Sequence, residues 1–209
     1  MSIQILDTKN PNLQIILLGI PFIVLFCHLV IMAFTLPYHL FLTMLGLMVG
    51  YILPPAGKET IIPLGIALGI PWWYIALSIS MVDIETGLFM TLNFDYVHRI
   101  PVIGPIVQYL TRKTKKMIAR HHWLSGLYVF AIILMVMIPV LGSGGVRGSI
   151  AGRILGLTPK QTMIGIGVGA IIGCFAIAIG SDQVLMYLCG SGSLPEGLRI
   201  FICPNTTKW

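Results

Sequence analysis

The sequence predicts an all-α polytopic membrane protein, built as an inverted repeat of two re-entrant helix hairpins plus transmembrane helices. Three observations predict it. The 209 residues are 56% hydrophobic and only 10% charged, with a mean hydropathy of +0.93, which is too little polar surface to cover a soluble globule of that size. The apolar sequence is interrupted from Pro54 to Pro71 by PPAGKETIIPLGIALGIP, which places prolines, glycines and a Lys58–Glu59 pair where a plain span carries none. An ungapped shift of 87 residues then lays a second copy over the first: Gly57, Gly65, Gly69 and Ile70 fall on Gly144, Gly152, Gly156 and Leu157.

Met1 to Pro11 has no basic n-region and no small-residue cleavage site, so the first apolar helix is expected to be retained. Leu13 to Thr35 reads as one span, bent at Pro21, whose main polar interruption, His28, is expected to bond to a neighbouring helix. Pro37 opens the next helix at a position where its missing N–H does no harm. The connection is very short, so the two helices run antiparallel.

Tyr38 to Leu53 leads into Pro54, Pro55, Ala56 and Gly57, after which Glu59 to Gly69 is helical again, with Pro63 inside it. A second half of about a dozen residues cannot span a hydrocarbon core that takes roughly 20 residues to cross. A helix, a break and a half-helix make a re-entrant hairpin, tolerated at membrane depth only when protein or a water-filled cavity surrounds the break.

Trp72 to Leu92 is long enough to cross, and Trp72, Trp73 and Tyr74 at its start suit the headgroup level. Its middle carries Ser78, Ser80, Asp83 and Glu85. Asp83 and Glu85 point to different faces at about 100° per residue, while Ser80 and Gly87 share the Asp83 stripe. An ionised carboxyl near mid-span costs about 2.5 to 3.5 kcal/mol on insertion scales. Either both are neutral or a cation faces them.

Six of the thirteen Lys and Arg lie between Asn93 and His122, with Ile106, Leu110 and Met117 recurring on one side. That is the pattern of a basic amphipathic helix on the cytoplasmic membrane surface. The net charge of +6 is therefore read as topology, with no nucleic acid as partner.

Trp123 to Ile138 breaks at Pro139 and the run Gly142, Ser143, Gly144, Gly145, then resumes from Val146 to Leu157 as a copy of the first hairpin. The last span, Gln161 to Gly180, spaces Gly165, Gly169 and Gly173 four apart, so its backbone can approach another helix closely. The chain is thus one membrane domain: repeat 1 at about 37–92, the linker 93–122, repeat 2 at about 123–180 and a tail 181–209 whose fold is not readable. Cys27 and Cys174 are expected as small packing residues. Cys189 and Cys203 flank the tail and can bridge if it lies outside the cell.

Counting crossings leaves two arrangements. If each hairpin leaves on the side it entered, the halves are inverted and the tail is outside; if Pro37 to Leu53 and Trp123 to Leu141 each cross, the halves are parallel and the tail is inside. The inverted form is preferred, since discontinuous helices of inverted repeats meet near the midplane in many transporters. It brings Gly57, Lys58 and Glu59 near Gly144, Gly145 and Arg147, with half-helix N-termini presenting unpaired N–H groups to an anionic group.

Together with Asp83, Glu85 and Arg153, these residues are the candidate substrate and proton pathway. The competing account makes them structural pairs, Lys58 with Glu59 or Asp83, and Arg147 or Arg153 with Glu85. No nucleophile and base, metal-ligand spacing or soluble-type phosphate loop is present, so neither metal nor cofactor is expected and the chain is not read as an enzyme.

GKETIIPLGIALGIP at Gly57 to Pro71, VDIETGLFMTLNFD at Val82 to Asp95 and GSGGVRGSIAGRILGL at Gly142 to Leu157 carry a resemblance. The chain resembles the archaeal branch of the small multidrug export protein family, and more distantly the DedA-type (VTT-domain) membrane proteins, over roughly residues 37–180. The resemblance implies two oppositely oriented re-entrant hairpins and, more loosely, transport of a small amphipathic molecule or a lipid. Bacterial members tend to have Glu and Arg in the first break, where this chain has Gly57 and Glu59. Two functions are expected to compete: a transporter, proton-coupled through Glu59, Asp83 or Glu85, and a non-transporting subunit that docks through its glycine-lined last helix. Membrane lipids, a second copy of the chain or a larger membrane complex are the expected partners.

Overall fold

The computed structural model describes residues 11–52, 56–93, 123–138 and 144–191. Seven helices are found among them: α1 (Pro11–Thr35), α2 (Tyr38–Ile52), α3 (Lys58–Ala67), α4 (Trp72–Leu92), α5 (Trp123–Met137), α6 (Gly144–Ile154) and α7 (Pro159–Ser191). Three of them, α1, α4 and α7, are long and apolar enough to cross a membrane. The short α3 and α6, of 10 and 11 residues, fall well below that length. The expected amphipathic linker helix lies outside the described residues.

Two helix ends differ from the sequence reading. α6 begins at Gly144, two residues early, because its first N–H groups find acceptors on other helices and need no preceding turn. α7 continues past Gly180 to Ser191 and takes in the first part of the expected tail. Ser181, Asp182 and Gln183 are ordinary helix residues once no proline or cap stops them.

The 87-residue offset recurs in the backbone. α3 ends at Ala67 and α6 at Ile154; α4 starts at Trp72 and α7 at Pro159. The caps match bond for bond. Gly69 N donates to Ile66 O and Ile70 N to Gly65 O, each at 3.0 Å; Gly156 N donates to Arg153 O and Leu157 N to Gly152 O, each at 3.0 Å. Both are Schellman caps, and Gly69 and Gly156 take the left-handed conformation the motif needs, with φ of 92° and 72°.

The long helices α4 and α7 pack against each other at the centre, and each half-helix packs on both of them. Glycines permit this. A methyl at Gly65 would overlap Ile75, and one at the equivalent Gly152 would overlap Thr162. Gly169 and Gly173 let α7 sit against the backbone of α5 at Ile133 and Met137. The glycine stripe expected to dock a partner is therefore covered by the chain's own α5.

Two apolar cores result among the described residues. Met44, Leu47, Tyr51, Ile62, Ile75 and Ile79 lie in the larger one, around the first half. Ile132, Val136, Ile166 and Ala170 form the smaller one, around the second. α1 stands outside both copies, packs chiefly on α4 and keeps Phe22, Ile23, Phe26 and Phe34 exposed, as suits a lipid-facing helix. Cys27 shares that exposed surface, contrary to its expected packing role, while Cys174 is buried.

Candidate functional site

Asp83 sits within one residue of the centre of α4 and is fully buried. A bare carboxylate there would be prohibitive, since the effective cost of burying an ion runs to several kcal/mol even after relaxation. Three other helices supply donors. Tyr51 at the end of α2 donates its hydroxyl to Asp83 Oδ1 at 2.7 Å. Gly145 N, in the first turn of α6, donates to the same oxygen at 3.1 Å. Lys58, the first residue of α3, donates its ammonium to Oδ2 at 3.1 Å.

Lys58 is buried to 1% exposure at the positive end of a helix, the wrong place for a cation on dipole grounds. Its second bond resolves this: Nζ donates to Val136 O at 2.9 Å. Val136 is next to last in α5, where the final carbonyls lack helical partners and carry the negative dipole end. One ammonium thus joins a carboxylate and a helix C-terminus, and ties the break of the first copy to that of the second.

The second break contributes backbone. Gly144 N donates to the Tyr51 hydroxyl at 3.3 Å. A methyl at Gly145 would overlap the Asp83 carbonyl, so only glycine lets the α6 N-terminus come this close. The N–H groups expected to face an anionic group are here turned on Asp83 and on the Tyr51 hydroxyl that bonds it. Where the tips meet, these groups form a packed, mutually bonded polar cluster.

The other predicted residues divide. Gly57 caps α3 from its carbonyl, which accepts from Thr60 N and Ile61 N, and the Glu59 carboxylate folds back over it. Lys58 therefore pairs with Asp83 and not with Glu59. Glu85 pairs with neither arginine: its Oε1 bonds His28 Nδ1 at 2.9 Å, which docks α1 on α4 on a face turned away from Asp83. Arg147 lies one turn beyond the α6 N-terminus, and Arg153, in the last turn, lines a separate cavity.

Sequence reasoning missed Tyr51. A phenol in an apolar helix carries no signal beyond its place beside the break. Among the described residues no group of three potential metal ligands occurs.

Long apolar helices, two half-helices and a buried ion pair where their N-termini meet define a helical membrane protein with a polar cluster inside its span. A family model described as "Putative small multi-drug export protein" matches residues 59–176, more than half of the chain. The chain belongs to that family. No curated protein and no solved structure matches it.

Proposed function

We propose that the protein is a proton-coupled exporter of small amphipathic molecules or lipids, with Asp83 as the carboxylate on which proton and substrate compete. One observation carries this reading: both half-helix N-termini converge on a single buried carboxylate at the middle of a membrane-long helix. Asp83 can be neutralised by Lys58, by a proton or by a cationic group of a substrate. While Lys58 and Gly145 hold it, the tips are shut. When a proton converts the carboxylate to the acid, Lys58 keeps Val136 O but loses its counter-charge, and the two breaks have less to hold them together.

The matching element bounds and caps support reading the two copies as inverted re-entrant hairpins, the arrangement implied by the resemblance to DedA-type proteins. With the basic linker on the cytoplasmic side of the cell membrane, the Thr91 end of α4 is cytoplasmic. Glu59 and Arg147, next to the tips, would line the cleft once they part. The glycine stripe that favoured a non-transporting subunit is occupied by α5, so nothing now recommends that alternative.

Proteoliposomes loaded with a fluorescent amphipathic cation and given a pH gradient test the reading. Wild-type protein should drive efflux, and Asp83→Asn should slow it about a hundredfold or more, as losing an essential proton acceptor does. Equal efflux from both would remove Asp83 from the mechanism.

A further inference from the structure

The two copies differ most where the half-helix meets the following long helix. In the first copy Ile62, Ile66, Ile70 and Ile75 fill that groove, each at most 5% exposed. Shifting by 87 residues gives Ser149, Arg153, Leu157 and Thr162. The backbone frame is shared, down to the glycine under the long helix: Gly65 lies against Ile75 as Gly152 lies against Thr162. The apolar filling is not shared. A cavity lined by Thr91, Ser149, Arg153, Leu157, Pro159 and Thr162 occupies the second groove, with ≈ 10 Å³ of space for water centres. That is room for about one water, in a site rich in hydroxyls.

Polar groups run from this cavity toward Asp83. Thr91 Oγ1 bonds Ser149 Oγ at 3.3 Å. Ser149 Oγ lies 2.7 Å from Gly145 O and 3.0 Å from Gly87 O, and its single hydroxyl proton is donated to one or shared between them. Gly145 N is the donor to Asp83, and Thr86 Oγ1 lies against Gly145 while bonding Asp83 O at 3.2 Å. Toward the other end of α4 the interior is apolar: Ile62, Ile75, Ile79 and Val82 belong to the larger buried core. Among the described residues, the titratable groups facing Asp83 include Lys58, Tyr51 and Cys174.

We infer that water, and with it protons, reaches Asp83 from the Thr91 end of α4 through this cavity and not from the Trp72 end. The inference rests on the export reading for its role in coupling, though one-ended hydration stands without it. The structure is then the state that faces the Thr91 side. Water enters along the α4–α6 seam, and a hydronium ion there gives its proton to the Asp83 carboxylate: one O–H bond breaks on the hydronium, which is left as water, and one forms on Asp83. The isoleucines of the first copy are the seal.

Radiolytic hydroxyl-radical labelling of wild-type protein in vesicles, read by mass spectrometry, tests this with a matched pair. Leu157 and its counterpart Ile70 are equally buried, at 3% and 1% exposure, and differ in that only Leu157 touches the cavity. Leu157 should be modified several-fold faster than Ile70; equal rates overturn the inference. Thr162→Ile copies Ile75 onto the same glycine. It should bring Leu157 down to the Ile70 rate and slow proton-driven efflux about a hundredfold. Lost labelling with unchanged efflux overturns the route. Should Thr162→Ile fail to fold, Thr162→Leu fills the same cavity from the same position and is read in the same way. Unchanged efflux in Asp83→Asn overturns export through Asp83 but leaves the labelling comparison to judge hydration by itself.

Discussion

Asp83 and Lys58 are each tolerable only because of the other. Removing one partner from a buried pair leaves an uncompensated charge and costs about 3 to 5 kcal/mol, whereas replacing both by apolar groups is often neutral. Lys58→Met should therefore lower the thermal unfolding temperature of the detergent-solubilised protein more than the double variant Lys58→Met, Asp83→Leu does. Additive losses would mean that the two side chains do not meet. Lys58 and Glu59 were both candidates from sequence, and helix geometry separates them. Adjacent residues point about 100° apart, so one faces the interior while the other folds back on Gly57. The pairing of His28 with Glu85, 57 residues apart, could not be read from spacing; only the need of a buried histidine for some partner was visible.

The decisive element is α6. Its N-terminus is useful because Gly144 and Gly145 carry no side chain, and a methyl at Gly145 would press on backbone that cannot move aside. Gly145→Ala should push α6 from α4, break the Gly145–Asp83 bond, cost about 1 to 3 kcal/mol as overpacking does and abolish efflux. Full activity with wild-type stability would show that the α6 tip does not touch Asp83. The helices themselves were largely legible, since glycine and proline punctuate the chain where they begin and end, and α4 runs over the residues expected. The far end of α7 was not, because a polar segment after a span looks alike whether it is helix or tail.

Across the whole molecule, the repeat was legible from four glycine and aliphatic positions. Its consequence at the groove was legible too: laying the copies over each other sets Ser149, Arg153 and Thr162 against Ile62, Ile66 and Ile75. The competing reading of the sequence already paired Lys58 with Glu59 or Asp83; what it could not show is that Gly145 N and the Tyr51 hydroxyl close on the same carboxylate. The number of free donors at a helix N-terminus does not say which carboxylate takes them. Cys189 is disulfide-bonded, a state that persists in an oxidising compartment. The central claim is that an ammonium from one break and a mid-span carboxylate are in direct contact within the bilayer. Solid-state NMR of protein in lipid, carrying 15N at the lysine ζ position and 13C at the aspartate γ position, measures this directly. The account predicts strong dipolar dephasing from the 3.1 Å Lys58–Asp83 contact, lost in Lys58→Met; absence of that signal in wild-type protein would contradict it.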